Sequence, residues 1–435
     1  MSRRSVPLEI IFVFLATNVG VLIAPVFGGN ATFILAVSAL LVVYLVLNFR
    51  DAAMAISRRA NITWLFLLTL WPMVAASYSQ YSTLRDYGLA ATYGVVYFSA
   101  HLYFKNNGSI AYRRLMLIGI AVTGIGLLAS LLAPELFYPA AQAVNATNYY
   151  HGRAYGFFLQ PNMAALSLLS FLAGLSYSYV PEKRWALIVG VVAVFIMVAL
   201  TGSRSGLFIF ALLLIYSVWV SVRFANSDIL VDSTHALLTV MILGGLICVF
   251  AGALFLFQQP AAGTAIGGLE NRLIVRLSAL GQLDIRDYVS TEGSLNARFT
   301  AQAEFLELIR DKPLLGYGIG AKDAFKARRL VSESSHNQFV RNWFEGGIVW
   351  LVAYVLALAA FIGRKATSFG PGAFKSRRTA LVPIYLVLAS LVSNGVLTSV
   401  TIILFVGATT GLISGGRRIN STRQKQLAPS ANLEK

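Results

Sequence analysis

Repeated apolar runs constrain this chain more than any other feature. They fall near residues 8–27, 31–48, 62–78, 87–104, 115–133, 161–180, 185–201, 206–222, 237–257, 347–363, 380–396 and 398–414. Each is close to the ~17–25 residues that a helix needs to cross the hydrocarbon core of a bilayer. Backbone N–H and C=O groups find no water there, so each run is expected to bond internally as a helix. The expected fold is all-α and polytopic, with about twelve transmembrane helices and one large outer loop that contains short helices.

Charge follows the same division. Only 12% of residues are charged, about half the share in a soluble domain. The formal charge of +17 invites a nucleic-acid partner until its location is examined. With Arg3 and Arg4 inside, the inner segments carry 21 basic and 6 acidic residues, the large outer loop 11 and 10, and the short outer loops 3 and 2. The excess of basic residues on inner loops that orients membrane proteins accounts for nearly all of the charge, so no nucleic-acid partner is expected. The first apolar run follows Arg3 and Arg4 as a signal sequence would. It is too long for a signal core and a second run follows at once, so it reads as an uncleaved anchor. Cys248, the sole cysteine, lies inside an apolar run and can form no intrachain disulfide or thiolate metal site.

The organisation expected is residues 1–257 as nine transmembrane helices, 258–346 as the large outer loop, 347–414 as three more helices, and 415–435 as a polar, unstructured inner tail. A connection as long as 258–346 is usually functional. Within it, residues 296–311 suit an amphipathic helix with Phe299, Ala303, Leu306 and Ile309 on one side. Lys312-Pro313 stops it, Gly316-Tyr317-Gly318-Ile319-Gly320 makes a tight turn, and a second helix is expected from Ser335-His336 to Glu345.

Outside the large loop, the outer side has few arginines: Arg85, Arg153 and Arg204. Each can be read as reaching for lipid phosphate. Arg153 in Gly152-Arg153-Ala154-Tyr155-Gly156 and Arg204 in Thr201-Gly202-Ser203-Arg204-Ser205-Gly206 can equally be read as a pyrophosphate clamp, because a guanidinium matches phosphate oxygens two at a time. His336 is the one histidine of the large loop. It can be a surface or capping residue. It can also be a general base, since a helix N-terminus and nearby arginines favour the neutral imidazole that base catalysis needs. His151 and His101 read as interfacial, and His235 falls on the inner side. No carboxylate cluster has metal-binding spacing, and Glu304, Glu307 and Asp311 read as a solvated helix face, so neither metal nor cofactor is expected. No run carries an ionisable side chain at its middle, which argues against a proton-coupled transporter. Gly316–Gly320 suits a structural turn better than a phosphate cradle.

In order along the chain, Arg153-Ala154-Tyr155-Gly156-Phe157 with Gln160-Pro161-Asn162, Thr201-Gly202-Ser203-Arg204-Ser205-Gly206, Arg298 with Pro313-Leu314-Leu315-Gly316-Tyr317-Gly318, and Ser335-His336-Asn337 with Glu345-Gly346-Gly347 resemble the O-antigen ligase and O-antigen polymerase superfamily. The resemblance implies a C-type glycosyltransferase fold in the bacterial inner membrane, with the large loop and active face periplasmic. It implies a glycan donor linked to undecaprenyl pyrophosphate and an acceptor that is lipid A-core in a ligase, or another lipid-linked glycan in a polymerase. Carried over by motif, Arg204 and Arg298 bind the pyrophosphate with Arg153 beside them, His336 serves the acceptor hydroxyl, and Asn337, Gly316 and Gly318 support the site. No metal is implied. The motifs leave ligase and polymerase both open. A transporter or flippase of lipid-linked saccharide, or a scaffold without catalysis, are the alternatives of another class.

Overall fold

A computed structural model describes residues 6–27, 30–57, 59–143, 153–178, 184–224, 293–332, 335–366 and 380–427. The expected span at 237–257, the first part of the large loop, His151, His235 and Cys248 lie outside the described residues. All regular structure among the described residues is helical.

The first half comprises α1 (Val6–Thr17), α2 (Asn30–Leu47), α3 (Phe49–Ile56), α4 (Arg59–Leu65), α5 (Trp71–Tyr78), α6 (Leu84–Leu132), α7 (Tyr138–Ala143), α8 (Pro161–Tyr177), α9 (Arg184–Leu200) and α10 (Arg204–Phe224). The second half comprises α11 (Gly293–Asp311), α12 (Ala321–Ala327), α13 (Gln338–Ala366), α14 (Leu381–Val392) and α15 (Val400–Leu427). Three stretches, Asn61–Tyr78, Leu84–Leu132 and Gln338–Phe361, are long and apolar enough to cross a membrane, and α2 with α3 makes a fourth if that pair, bent by 95°, is one span. Shorter apolar helices fill most of the other expected runs. α6 is two helices joined at Gly108, whose φ of 71° and ψ of −162° break the ladder. α15 continues to Leu427, beyond the point where the sequence suggested an unstructured tail.

The tightest packing joins α15 to the first half of α6. Gly407, Gly411 and Gly415 face the carbonyls of Tyr97, His101 and Lys105 in the same order, so the two helices run parallel. A Cβ at any of these glycines would overlap the facing backbone. Small residues four apart are what lets membrane helices approach this closely, because dispersion rather than water exclusion holds them together. Polar side chains bond across the seam. His101 lies 3.0 Å from Thr410 Oγ1 and 3.2 Å from Asn61 Nδ2, and Tyr97 donates to Asn61 Oδ1 at 2.9 Å. His101 is thus wholly buried and not interfacial, because the glycine stripe brings α15 over it.

Contacts between connections sort them into two ends. At one, Glu9 accepts from Arg114 at 3.0 Å and from Tyr103 at 2.7 Å, and Arg113 donates to the Ser178 carbonyl at 2.9 Å. At the other, Asn18 donates to the Phe157 carbonyl at 2.7 Å, and Ser79 to the Ile319 carbonyl at 2.7 Å.

A small outer layer rests on that second end. Phe305, Ile309, Phe325, Val331 and Phe344 form its core, with Tyr317 packed against them. α11 buries Ala301, Phe305 and Ile309, while Phe299 and Leu306 are 57% and 43% exposed. Of the stripe read from the sequence, Ile309 is buried, whereas Phe299 and Leu306 are not, because the buried face is turned towards Phe305 and Ala301, where Phe344 packs. Glu304 is not simply solvated: it accepts from Ser332 N at 2.7 Å and Oγ at 2.9 Å.

The layer is fastened where α13 breaks at Gly347, φ 69°. The break releases three carbonyls that a continuous helix would use. Phe344 O takes Tyr317 N–H and Glu345 O takes Gly318 N–H, both at 2.8 Å, and Gly346 O takes Trp71 Nε1 at 2.9 Å. In return, Ile348 N–H donates to Pro313 O at 2.9 Å.

Substituting Gly411→Leu should lower stability by at least about 1–3 kcal/mol, the usual cost of overpacking. Gly395→Ala, where the added carbon meets nothing nearer than 3.5 Å, should be close to neutral. Thermal melts of the two variants in detergent check the contrast.

Candidate functional site

The turn Thr201–Ser203 presents Arg204 as the first residue of α10. Gly202 has φ 58°, and Ser203 Oγ caps the helix by accepting from Gly206 N at 3.1 Å. Arg204 is exposed. Arg153 braces this turn: its Nε donates to Thr201 O at 2.8 Å, and its Nη2 to Gly202 O at 3.2 Å and Asn162 Oδ1 at 3.4 Å. Arg153 thus spends donors on the carbonyls that shape the turn before Arg204.

His336 precedes α13 in a left-handed conformation, φ 47°, and is half-buried. A non-glycine residue there is uncommon, and such strain gathers at functional sites. Asn337 follows as the helix cap, its Oδ1 accepting from Phe339 N at 2.9 Å and Val340 N at 3.3 Å. The helix therefore starts at Gln338, two residues later than expected, because an asparagine caps better than a histidine.

Gly316 and Gly318 do not cradle an anion. Their N–H groups bond Lys312 O at 3.0 Å and Glu345 O at 2.8 Å, and Tyr317 N–H is taken by Phe344 O. They let the 313–320 segment lie against the broken helix. Arg298 enters half-buried from α11, the helix that joins α13 through the Phe305–Phe344 ring contact at 4.8 Å.

A third segment, the turn between α14 and α15 at residues 393–399, ties these pieces together. Gly395 lies against Met163, next to the Asn162 that meets Arg153. Leu397 N–H donates to Gln338 Oε1 at 3.3 Å. Arg341 Nη1 donates to Asn394 O at 2.7 Å and Thr398 Oγ1 at 3.2 Å. The N-termini of α8, α10 and α13 are thereby linked at one end of the bundle. Each presents the positive end of a helix dipole, which favours an anionic ligand.

Arg341 was not singled out from the sequence, and Glu345 only as part of Glu345-Gly346-Gly347. Arg341 Nε donates to Glu345 Oε2 at 2.8 Å, with the side chains 11% and 1% exposed. Their i, i+4 spacing was visible, but an exposed helical pair has the same spacing. The Glu345 charge and hydrogen bond compensate the burial of the Arg341 guanidinium. Lys322 has its pKa lowered, first by the nearby Arg341 charge and then by burial. Among the described residues, no three His, Cys, Asp or Glu side chains gather as a metal site.

Residues 188–355 match the family model described as O-antigen ligase. That segment is similar to O-antigen ligases. The matched stretch takes in Arg204, Arg298 and His336 and leaves Arg153 outside it. No curated protein matches the chain. The likeness agrees with a bundle of apolar helices.

Removing Glu345 would leave a buried guanidinium unpaired, so Glu345→Ala should cost about 3–5 kcal/mol. Asn337→Ala should cost about 0.5–2 kcal/mol, with Asn337→Ser recovering most of it. Denaturation of each purified variant should give that order, and equal losses would contradict the roles assigned to the pair and the cap.

Proposed function

We propose that the chain is an inverting, metal-independent glycosyltransferase of the bacterial inner membrane, O-antigen ligase-like, working on the periplasmic face. Its donor is a glycan linked to undecaprenyl pyrophosphate, and its acceptor is a sugar hydroxyl of lipid A-core. A polymerase of O-antigen or exopolysaccharide units uses the same chemistry with a lipid-linked acceptor. The observation that carries the reading is the strained His336, held by a capped helix at the same end of the bundle as the braced Arg204 turn.

The reaction needs little beyond those groups. The acceptor oxygen attacks the anomeric carbon as His336 takes its proton. The bond from that carbon to the pyrophosphate oxygen breaks, and the pyrophosphate leaves with the electron pair. Arg204 and Arg298 stabilise the charge that develops on it, and Arg153 keeps Arg204 in place. The lipid tail enters sideways between helices, and the glycan lies under the residue 258–346 loop.

His336→Ala should lower transfer by about 10²–10⁴-fold, the usual contribution of a positioned base. Wild-type activity should fall as pH drops through the range where imidazole gains a proton, while donor binding persists. Arg204→Lys keeps the charge and loses the fork, so use of the donor should weaken with protein levels unchanged. Normal activity in both Arg204→Ala and Arg298→Ala would remove these residues from the mechanism. For topology, a cysteine placed at Ser294 should react with an impermeant reagent in intact spheroplasts; reaction only after lysis would place residues 258–346 on the wrong side.

The buried His101–Asn61–Tyr97–Thr410 network favours a transporter or flippase of lipid-linked saccharide, since polar groups inside a membrane bundle often line a path. A transporter forms no glycosidic bond, so the product separates the two readings.

A further inference from the structure

The outer part of α13 is polar where it should be apolar. Gln338, Arg341, Asn342 and Glu345 fall at i, i+3, i+4 and i+7, one face of the helix. This is the inward face: Gln338 and Asn342 are wholly buried and Glu345 is 1% exposed. Burying such a stripe is costly unless every group is paired, and several donors here are not.

Gln338 Oε1 accepts from Leu397 N, which fixes the orientation of its amide. Its Nε2 must then donate to Asn342 Oδ1, at 2.7 Å. That leaves Asn342 Nδ2 as a buried donor without an acceptor among the described residues. Asn394 Nδ2 is buried and unpartnered in the same way, on the residue whose carbonyl accepts from Arg341. Arg341 uses Nε and Nη1, and no described atom accepts from its Nη2. Lys322, 16% exposed, reaches Asp323 Oδ1 at 3.4 Å, but Asp323 is 80% exposed and hydrated. α12 packs on α13 through the Phe325–Phe344 ring contact at 5.4 Å, which brings the Lys322 ammonium near enough to Arg341 for the two cations to repel. Tyr93 lies beside Arg341, with Arg85 and Asp86 on the rim; Asp86 is occupied by the Thr83 N–H at 2.7 Å.

The cluster thus offers an ammonium, a guanidinium N–H and two amide groups, and Glu345, its buried carboxylate, already receives Arg341 Nε. The donors arrive from α12, α13 and the 393–399 turn. That spread suits a tetrahedral anion better than a planar carboxylate, which takes its donors near one plane.

We propose that Lys322, Arg341, Asn342 and Asn394 form a second anion subsite, which takes a phosphoryl group of the glycan acceptor while Arg204 and Arg298 hold the donor pyrophosphate. Binding itself stands on the geometry; only the identity of the occupant rests on the transferase reading above. The 393–399 turn holds Arg341 and also lies against Met163, beside the Asn162 that meets Arg153 before Arg204, so a filled subsite would set the acceptor on the donor's end of the bundle.

The test uses the full chain in detergent, with inorganic phosphate as probe and the thermal midpoint as readout. Lys322→Met keeps the apolar stem, and Asn394→Ala removes an amide nitrogen that bonds nothing in the fold. Phosphate should raise the midpoint saturably in wild type and in the Arg204→Ala/Arg298→Ala double variant. Its apparent affinity should fall about tenfold or more in Lys322→Met, the loss expected for one charged hydrogen bond, and should weaken in Asn394→Ala. No shift in wild type, or a shift lost in the double variant and kept in Lys322→Met, would overturn the subsite. Displacement of phosphate by phosphatidylglycerol but not by a phosphorylated acceptor would make it a lipid headgroup site and overturn the acceptor assignment. In transfer assays, Lys322→Met should raise the acceptor KM and leave the donor KM unchanged; a raised donor KM contradicts the proposal. Lys322-dependent phosphate binding without any transfer would uphold the subsite and sink the transferase reading.

Discussion

The arrangement of the outer end depends on how the backbone groups freed at Gly347 are satisfied. A helix that simply continued from Gln338 into the membrane would consume the carbonyls of Phe344, Glu345 and Gly346 itself. The break hands them to Tyr317, Gly318 and Trp71, and Ile348 turns its N–H to Pro313. Four hydrogen bonds, each worth about 0.5–1.5 kcal/mol net, thereby join the 313–320 segment, the α4–α5 span and α13. The aromatic core of Phe305, Tyr317, Phe325 and Phe344 assembles on that joint. His336 and Arg298 are carried by the elements it fixes, and Arg204 is reached through the 393–399 turn.

That turn gives the arginines different tasks. Arg153 is spent on carbonyls and shapes the loop that presents Arg204. Arg341 is locked to Glu345 and to the 393–399 turn. Helix N-termini from α8, α10 and α13 add their dipoles at the same end, so an anion meets fixed donors rather than mobile side chains. Electrostatic preorganisation of this kind is what a reaction with a pyrophosphate leaving group requires.

Much of this was legible in the sequence because it rests on composition and punctuation. Apolar length located the helices, and basic residues sorted their connections into two ends. The glycines at 316, 318 and 320 marked a tight turn. Other features depend on which partner covers which face, and periodicity alone does not carry that. α11 has two apolar stripes, and the position of Phe344 decides which one is buried. His101 looked interfacial because it lies a few residues from the end of its run; the glycine stripe of α15 buries it. Arg341 and Glu345 have the i, i+4 spacing of any helical pair, and only the 393–399 turn, some fifty residues later in sequence, sets them apart.

The claim that the outer end transfers a glycan is tested most directly by giving purified wild-type protein a lipid-linked glycan and an acceptor, with EDTA present. The account predicts a new glycosidic product and stoichiometric release of undecaprenyl pyrophosphate, unaffected by the chelator. Transfer that EDTA abolishes, or movement of the donor without any glycosidic product, would contradict it.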